Sequence, residues 1–416
     1  MGVIFDLFFC KKKAFVSAKK TLYTAHTFSL PEISKKDRLI GLKQFYRSYK
    51  RIFIKKSLYI SNQNGNTLIF SLNTFNREDE IAIIETNSSD KVYGIITKAD
   101  VLSYGSWNLK ILNFILLCFY SFIFAPAVFF SKKNRLNFAL LPEHLLGLRS
   151  VRSVIRKKKL PNLYCFYTHE PEINLVSYYS MESGVRVNLV PNANPLFMFN
   201  RNLQGDKLYI SLSYQKDEAS FFYDMPYEKW DVLKTKVHNN QCFMENKVYS
   251  KNVIFYYSHA SWLRKEEGHN IPYFNEVEME FSALSILGEL VKENKIEIII
   301  CLHPKEKNVK KNIIDNYYRS YFGDTFVFHD GDSYDTFLDN SIGFGAFSSV
   351  LFERVECGYK TVFLMDSIKD EFPIESSKYG LFIWSLDKIN ENRIEHASNV
   401  STFEYFNENK YYTFLK

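Results

Sequence analysis

Residues 296–305 read Ile-Glu-Ile-Ile-Ile-Cys-Leu-His-Pro-Lys, and residues 343–349 read Gly-Phe-Gly-Ala-Phe-Ser-Ser. The first stretch is an almost unbroken apolar run that stops at a polar pair, the pattern of a strand buried on both faces of a parallel sheet. Pro304 fixes its own φ and holds His303 extended, so the imidazole projects off the strand end. The second stretch opens a helix expected over Val350–Cys357, with Gly358 as its terminator. Working outward, strands are expected at Val253–Tyr257, Thr325–Phe328, Ser341–Phe344 and Thr361–Met365. Helices are expected over Val277–Glu293, with Phe281, Leu284, Leu287 and Leu290 on one stripe, and over Val309–Phe322. A short helix near Tyr334–Leu338 and a last strand–helix pair from Phe382 complete the series. Strands alternating with helices predict a doubly wound parallel sheet, whose ligands bind at the carboxyl ends of the strands.

The first 250 residues are less regular. Strand-like segments occur at Leu58–Ile60, Thr67–Leu72, Ile81–Ile84 and Val92–Ile96, and the turn residues Asn62–Asn66 suggest a hairpin between the first two. Residues 144–158 read as a basic amphipathic helix stopped by Pro161. Then come a strand over Asn162–Tyr167, a helix through Met181, Gly184 as its C-terminal glycine and a strand over Val185–Val190, together a βαβ unit. His169 and Glu170, in the turn after Tyr167, are acceptor-side candidates; the competing reading is that they cap the helix at Glu172. Leu208–Leu212 is strand-like and Pro226–Val237 helical. Composition places a domain boundary at residues 245–252, giving domains 1–250 and 251–416. Residues 111–131 carry no charge and are flanked by Lys110 and Lys132-Lys133. A membrane-spanning helix, a helix lying on a membrane surface and a helix buried in the protein all fit them.

At 416 residues the chain is too long for one ordinary core, and 46% hydrophobic with 24% charged residues is a globular composition. The net charge of +7 is concentrated in runs such as Lys11–Lys13, Tyr46–Lys56 and Arg149–Lys159. These are either solvated faces or contacts to anionic lipid head groups. No recognition motif accompanies the charge, which argues against nucleic-acid binding. The six cysteines stand singly, as expected of free thiols in a reducing compartment. Met1–Cys10 is apolar before it is basic, the reverse of a secretory signal, so a cytoplasmic chain, peripheral on the cytoplasmic face of the inner membrane, is expected. Self-association is left open.

Three elements carry chemistry. Glu266-Glu267-Gly268 follows the strand at 253–257, and paired carboxylates suit a general base, because mutual repulsion raises the pKa of one of them. His303 can donate to a phosphate oxygen or protonate a leaving group, with Pro304 holding it and Lys305 adding charge. Gly345 lets the backbone approach a ligand, while Ser348 and Ser349 offer hydroxyls beside helix amides that favour an anion. Each has a plain counterpart: a solvated turn, a structural histidine and an N-cap. Asp330-Gly331-Asp332 formally matches a metal-binding pattern but reads as a turn.

The order Glu-Glu-Gly, His-Pro, Ser-Ser resembles the bacterial lipooligosaccharide sialyltransferases of glycosyltransferase family 52 and related O-antigen and capsule enzymes, over roughly residues 250–365. That resemblance implies a GT-B-like α/β fold, with two Rossmann-like doubly wound domains facing a central cleft. It implies an inverting, metal-independent transfer of sialic acid from CMP-sialic acid to a glycan or lipid-linked glycan, with no cofactor. Glu266, or Glu267, would be the base. His303 would be the acid or phosphate ligand, and Ser348 and Ser349 would hold the phosphate. A Kdo or glycerol-phosphate transferase using a cytidine nucleotide, or a non-catalytic scaffold of the same fold, would share these features.

Overall fold

The computed structural model describes residues 39–53, 58–71, 77–97, 101–103, 105–131, 135–166, 171–190, 205–210, 230–232, 253–266, 276–293, 296–337, 341–346, 348–364 and 381–409. The chain divides into two compact units, Met1–Lys234 and Thr235–Lys416. Residues 233–252, which include the boundary expected from composition, lie outside the described residues.

The first unit is built on a seven-stranded sheet in the order β1-β3-β2-β4-β5-β6-β7. The strands are β1 (Tyr59–Ile60), β2 (Thr67–Ser71), β3 (Val92–Thr97), β4 (Asn162–Phe166), β5 (Arg186–Val190), β6 (Lys207–Ile210) and β7 (Trp230–Val232). All pair in parallel except β1, which runs antiparallel to β3. Alternation along β2 sets the two layers: Leu68 and Phe70 join one core and Ile69 another. Helix α1 (Ile40–Phe53), α3 (Trp107–Phe130), α4 (Arg135–Lys158) and α5 (Pro171–Met181) contribute to the first core, and α2 (Arg77–Asn87) covers the second.

Four expectations are corrected here. β1 does not form a hairpin with β2, because its partner is β3. Ile81–Ile84 is helical, within α2, whose first turn carries Glu78, Asp79 and Glu80, carboxylates that suit a helix N-terminus. Helix α4 begins at Arg135 and runs through Pro142; Leu141 and Leu145, on either side of the proline, are buried, and that packing offsets the missing hydrogen bond. Residues 230–232 form a strand paired with β6 rather than part of a helix. The β4–α5–β5 unit forms as read, with Gly184 at φ +77 behind α5. Helix α3, 24 residues, is long and apolar enough to cross a membrane, and only 22% of its most apolar window is buried.

The second unit is a six-stranded, wholly parallel sheet in the order β10-β9-β8-β11-β12-β13. Its strands are β8 (Val253–Tyr257), β9 (Glu297–Cys301), β10 (Phe326–His329), β11 (Ile342–Gly345), β12 (Thr361–Leu364) and β13 (Ile383–Trp384). Its helices are α6 (Ser261–Glu266), α7 (Glu276–Lys292), α8 (Lys311–Phe322), α9 (Ser349–Glu356), α10 (Glu391–Asn399) and α11 (Thr402–Glu408). The α/β class and the two Rossmann-like units of a GT-B-like chain are therefore present. In the second sheet the strand order reverses between β8 and β11, and that reversal is the topological switch point.

Buried Arg354 of α9 binds this sheet together. Its guanidinium donates to the Tyr257 hydroxyl (2.9 Å) and to the carbonyls of Thr336 (2.9 Å), Ser341 (3.1 Å) and Lys360 (3.1 Å). Gly343 makes room for it: a Cβ there would lie 2.7 Å from Arg354 Cδ and 2.9 Å from Tyr257 Cε2. Among the described cysteines, Cys118, Cys165, Cys301 and Cys357 are free. Burial pushes the thiols of the last three up to about 12, so they stay protonated.

Candidate functional site

Strands β9, β8 and β11 are neighbours, so their carboxyl ends stand side by side, each about 5 Å from the next. Beyond β9 lies Leu302-His303-Pro304-Lys305, beyond β8 lies Ser258-His259-Ala260, and beyond β11 lies Ala346 and then the start of α9. The sequence thus delivers three polar turns to one edge, two of them flanking the switch point.

The His-Pro turn is held from below by Glu306. This carboxylate is wholly buried and accepts from the His303 N–H (2.8 Å), the Trp262 indole N–H (2.7 Å) and the Tyr318 hydroxyl (2.9 Å). Burial pushes the Glu306 carboxyl up, and the bonds from Trp262 and His303 oppose the rise. The His303 Nδ1 accepts from the Lys305 N–H at 3.1 Å. With Nδ1 an acceptor, the neutral ring carries its proton on Nε2, the nitrogen able to donate to a ligand. His303 is half-buried, and Pro304 and Lys305 are exposed.

The turn after β8 has its own buried anchor. Glu280, on α7, accepts from the Tyr256 hydroxyl (2.8 Å) and from the N–H groups of His259 (2.9 Å) and Ser261 (2.8 Å). Between them Ala260 sits at φ +56, a left-handed backbone that Cβ resists. The His259 ring meets that of His303 edge to face, centroids 6.3 Å apart. Ser258 and His259 were not singled out from sequence. The signal was there: a polar pair directly after the apolar run Val253–Tyr257, just as His303-Pro304 follows its own strand.

Ser348 is the N-cap residue of α9, in extended conformation, but its hydroxyl makes no capping bond. It is half-buried and Ser349 is exposed. The N-cap alternative therefore does not employ the Ser348 side chain. Gly345 is accounted for by packing, since a Cβ there would lie 2.9 Å from the Tyr257 carbonyl oxygen and 3.0 Å from Leu351 Cδ1.

Glu266 is not in a loop directly after β8, as its spacing suggested. It is the last residue of α6, one short helix beyond the strand end, because the Ser258–Ala260 turn and α6 fill the intervening chain. Glu267, His169 and Glu170 lie outside the described residues. Glu172 is buried and paired with the imidazole of His144, which ties α5 to α4. Asp332 caps a 3-10 turn at Ser333–Thr336, with the Asp335 side chain accepting from its backbone N–H at 3.0 Å. Among the described residues no group of three or more His, Cys, Asp or Glu side chains is placed to hold a metal ion.

Together the edge offers an Nε2–H from His303, the charge of Lys305, two serine hydroxyls and the first-turn amides of α9. Such a set can receive a phosphate or another small anion. No protein-family model and no curated protein matches the sequence. Solved structures do. UDP-GlcNAc 2-epimerase from Methanocaldococcus jannaschii is 13% identical over 81% of this chain and 92% of its own, with TM-score 0.44. The enzyme from Neisseria meningitidis bound to UDP-GlcNAc is 13% identical over 83% and 92%, with TM-score 0.45. The wall teichoic acid polymerase TagF is 11% identical over 90% and 91%, with TM-score 0.38. At these identities and scores the likeness is one of general architecture and carries no argument about the reaction.

Proposed function

We propose that the chain is a nucleotide-sugar transferase that moves sialic acid from CMP-sialic acid to a glycan acceptor of a surface polysaccharide. The observation that supports it most is the placement of the His303 turn and the Ser348–Ser349 helix start on either side of β8, at the edge where the strand order reverses. A donor phosphate bridging them would accept from His303 Nε2–H and from the amides of α9. In an inverting transfer the acceptor oxygen bonds to the anomeric carbon as the bond to the phosphate oxygen breaks. Glu266, or Glu267, takes the acceptor proton, and His303 donates to the departing CMP. The choice of sialic acid rests on the resemblance of the three motifs.

The test is release of CMP from CMP-sialic acid by the purified chain, with CMP-Kdo, CDP-glycerol and UDP-GlcNAc in parallel and chelator present. Turnover of CMP-sialic acid, abolished in a folded His303→Ala protein and lowered at least about hundredfold in Glu266→Gln or Glu267→Gln, is the expected result. Turnover only of another donor removes sialic acid; an active His303→Ala enzyme removes the mechanism.

A further inference from the structure

We propose that α1 and α3 form one docking surface for a bilayer containing anionic lipids, with α3 lying in the plane of the membrane rather than across it. This inference is independent of the donor and the chemistry proposed above.

The residues of α3 buried in the protein are Asn113, Leu117, Phe124 and Val128, a single stripe at helical spacing. Phe114, Leu116, Tyr120 and Ile123 beside the stripe are partly buried, and the far side of the helix is apolar and open: Ile115 is 55%, Phe122 80% and Phe129 62% exposed. From Ile111 to Phe130 there is no charged residue. A helix with one covered stripe and a bare apolar face opposite it is not enclosed as a core helix is.

Its ties to the rest of the unit argue against a crossing orientation. Near the start, Asn113 accepts from Arg149 of α4 at 2.6 Å and donates to the Leu102 carbonyl at 3.3 Å. Near the end, Arg135 of α4 donates to the Val128 carbonyl at 2.8 Å. Between these ties the stripe packs on α1 and α4. Setting α3 upright in hydrocarbon would take in the helices packed along it, and with them the exposed Lys43, Arg47 and Lys50 of α1, at the cost of charged groups in lipid.

Helix α1 extends the surface. Leu42 is 69% and Tyr46 55% exposed, and the rings of Tyr49 and Phe114 (5.6 Å) and of Phe53 and Trp107 (6.1 Å) join it to α3. Lys43, Arg47 and Lys50 are exposed on the same helix, and Lys50 Nζ lies over the Tyr46 ring at 4.6 Å. Neither helix contains an acidic residue. A second copy docked face to face would therefore offer these cations no opposite charge, because a two-fold interface is made of the same patch on both sides. Anionic head groups above an apolar layer complement both features, each well-placed cation contributing attraction while its stem covers apolar surface.

The test is flotation of the full chain with phosphatidylcholine vesicles made with and without phosphatidylglycerol. The expected result is binding to the anionic vesicles that weakens with salt and is lost on carbonate washing. The triple variant Ile115→Ser, Phe122→Ser, Phe129→Ser changes only exposed positions, and circular dichroism checks its fold. It should bind at least about tenfold more weakly, and Lys43→Glu with Lys50→Glu similarly. No flotation, undiminished binding by the triple variant, or retention in the membrane pellet after carbonate each overturns the proposal. So does a chain that floats with neither vesicle and self-associates until the triple substitution makes it monomeric.

Discussion

Replacing Glu306 by Gln probes how the His-Pro turn is held. The native carboxylate serves three donors at 2.7–2.9 Å, which an acceptor-only group can do. A carboxamide cannot. If its NH2 faces His303, two N–H groups oppose one another. Turned the other way, it meets the indole N–H of Trp262, which has no freedom to rotate, and the Tyr318 hydroxyl must find another acceptor. Either way one charge-assisted hydrogen bond is lost, about 1.5–3 kcal/mol, and a buried donor is left unsatisfied, about 1–3 kcal/mol. Part of this returns, because a neutral amide no longer bears the desolvation that pushes the Glu306 carboxyl up.

The net expectation is a loss of about 2–3 kcal/mol, confined to the second unit. Hydrogen exchange reads it directly: amides over 301–308 and in α8 should exchange roughly 30- to 140-fold faster, at 1.4 kcal/mol per decade. Amides of the first unit should be unchanged. Under the proposed function, any affinity for CMP should fall as well, because His303 loses its backbone anchor. Unchanged protection around His303 in a Glu306→Gln protein would refute the claim that this carboxylate holds the turn.

Two further substitutions test other parts of the structure. Glu80, buried at the start of α2 and bonded to the Ser71 hydroxyl at 2.7 Å, has its carboxyl raised by burial from 4.5 to about 7, with Ser71 and Arg77 opposing the rise. Because the folded value lies above the unfolded one, its contribution to stability is complete below about pH 4.5 and is lost as pH rises through about 7. Glu80→Gln should therefore stabilise the first unit by about 3 kcal/mol above neutrality and little at acidic pH; urea unfolding curves of equal pH dependence for both proteins would contradict this. Gly343→Ala should destabilise the second unit by about 1–3 kcal/mol, since the added methyl meets the buried Arg354 and Tyr257 rather than a flexible surface chain; an unshifted thermal midpoint would show that the packing there is loose.

The second unit was legible because its central strands are largely buried on both faces. Val253–Tyr257 is an unbroken apolar run, Ile296–Cys301 is broken only by Glu297, and the helices between them carry regular stripes. The first unit was less so, for reasons visible in single elements. Ile81–Ile84 looks like a strand in isolation, and only the acidic turn before it and the second core it meets decide for helix. The partner of β1 is set by tertiary pairing with β3, which the local turn at Asn62–Asn66 does not encode. At the candidate site the His-Pro and Ser-Ser pairs were readable as polar residues at element ends. Their supports were not. Glu280 and Glu306 are in sequence two carboxylates among many, and nothing local tells that each is buried beneath a turn and accepts from three donors.

The order of strands in the second sheet has a consequence for biosynthesis. β8 takes its first neighbour soon, when Ile254 pairs with Ile298, but its other edge stays open until Ile342 arrives to pair with the same residue. Until then a strand of five apolar residues presents unpaired backbone, the kind of edge that recruits other chains. Long-range parallel pairing of this sort is slow to form. The seven strands of the first unit, by contrast, have all been made by Val232. Fragments that stop short of β11 should thus combine a finished first unit with an aggregation-prone remainder, and the candidate edge at the switch point comes into being only when β11 closes on β8.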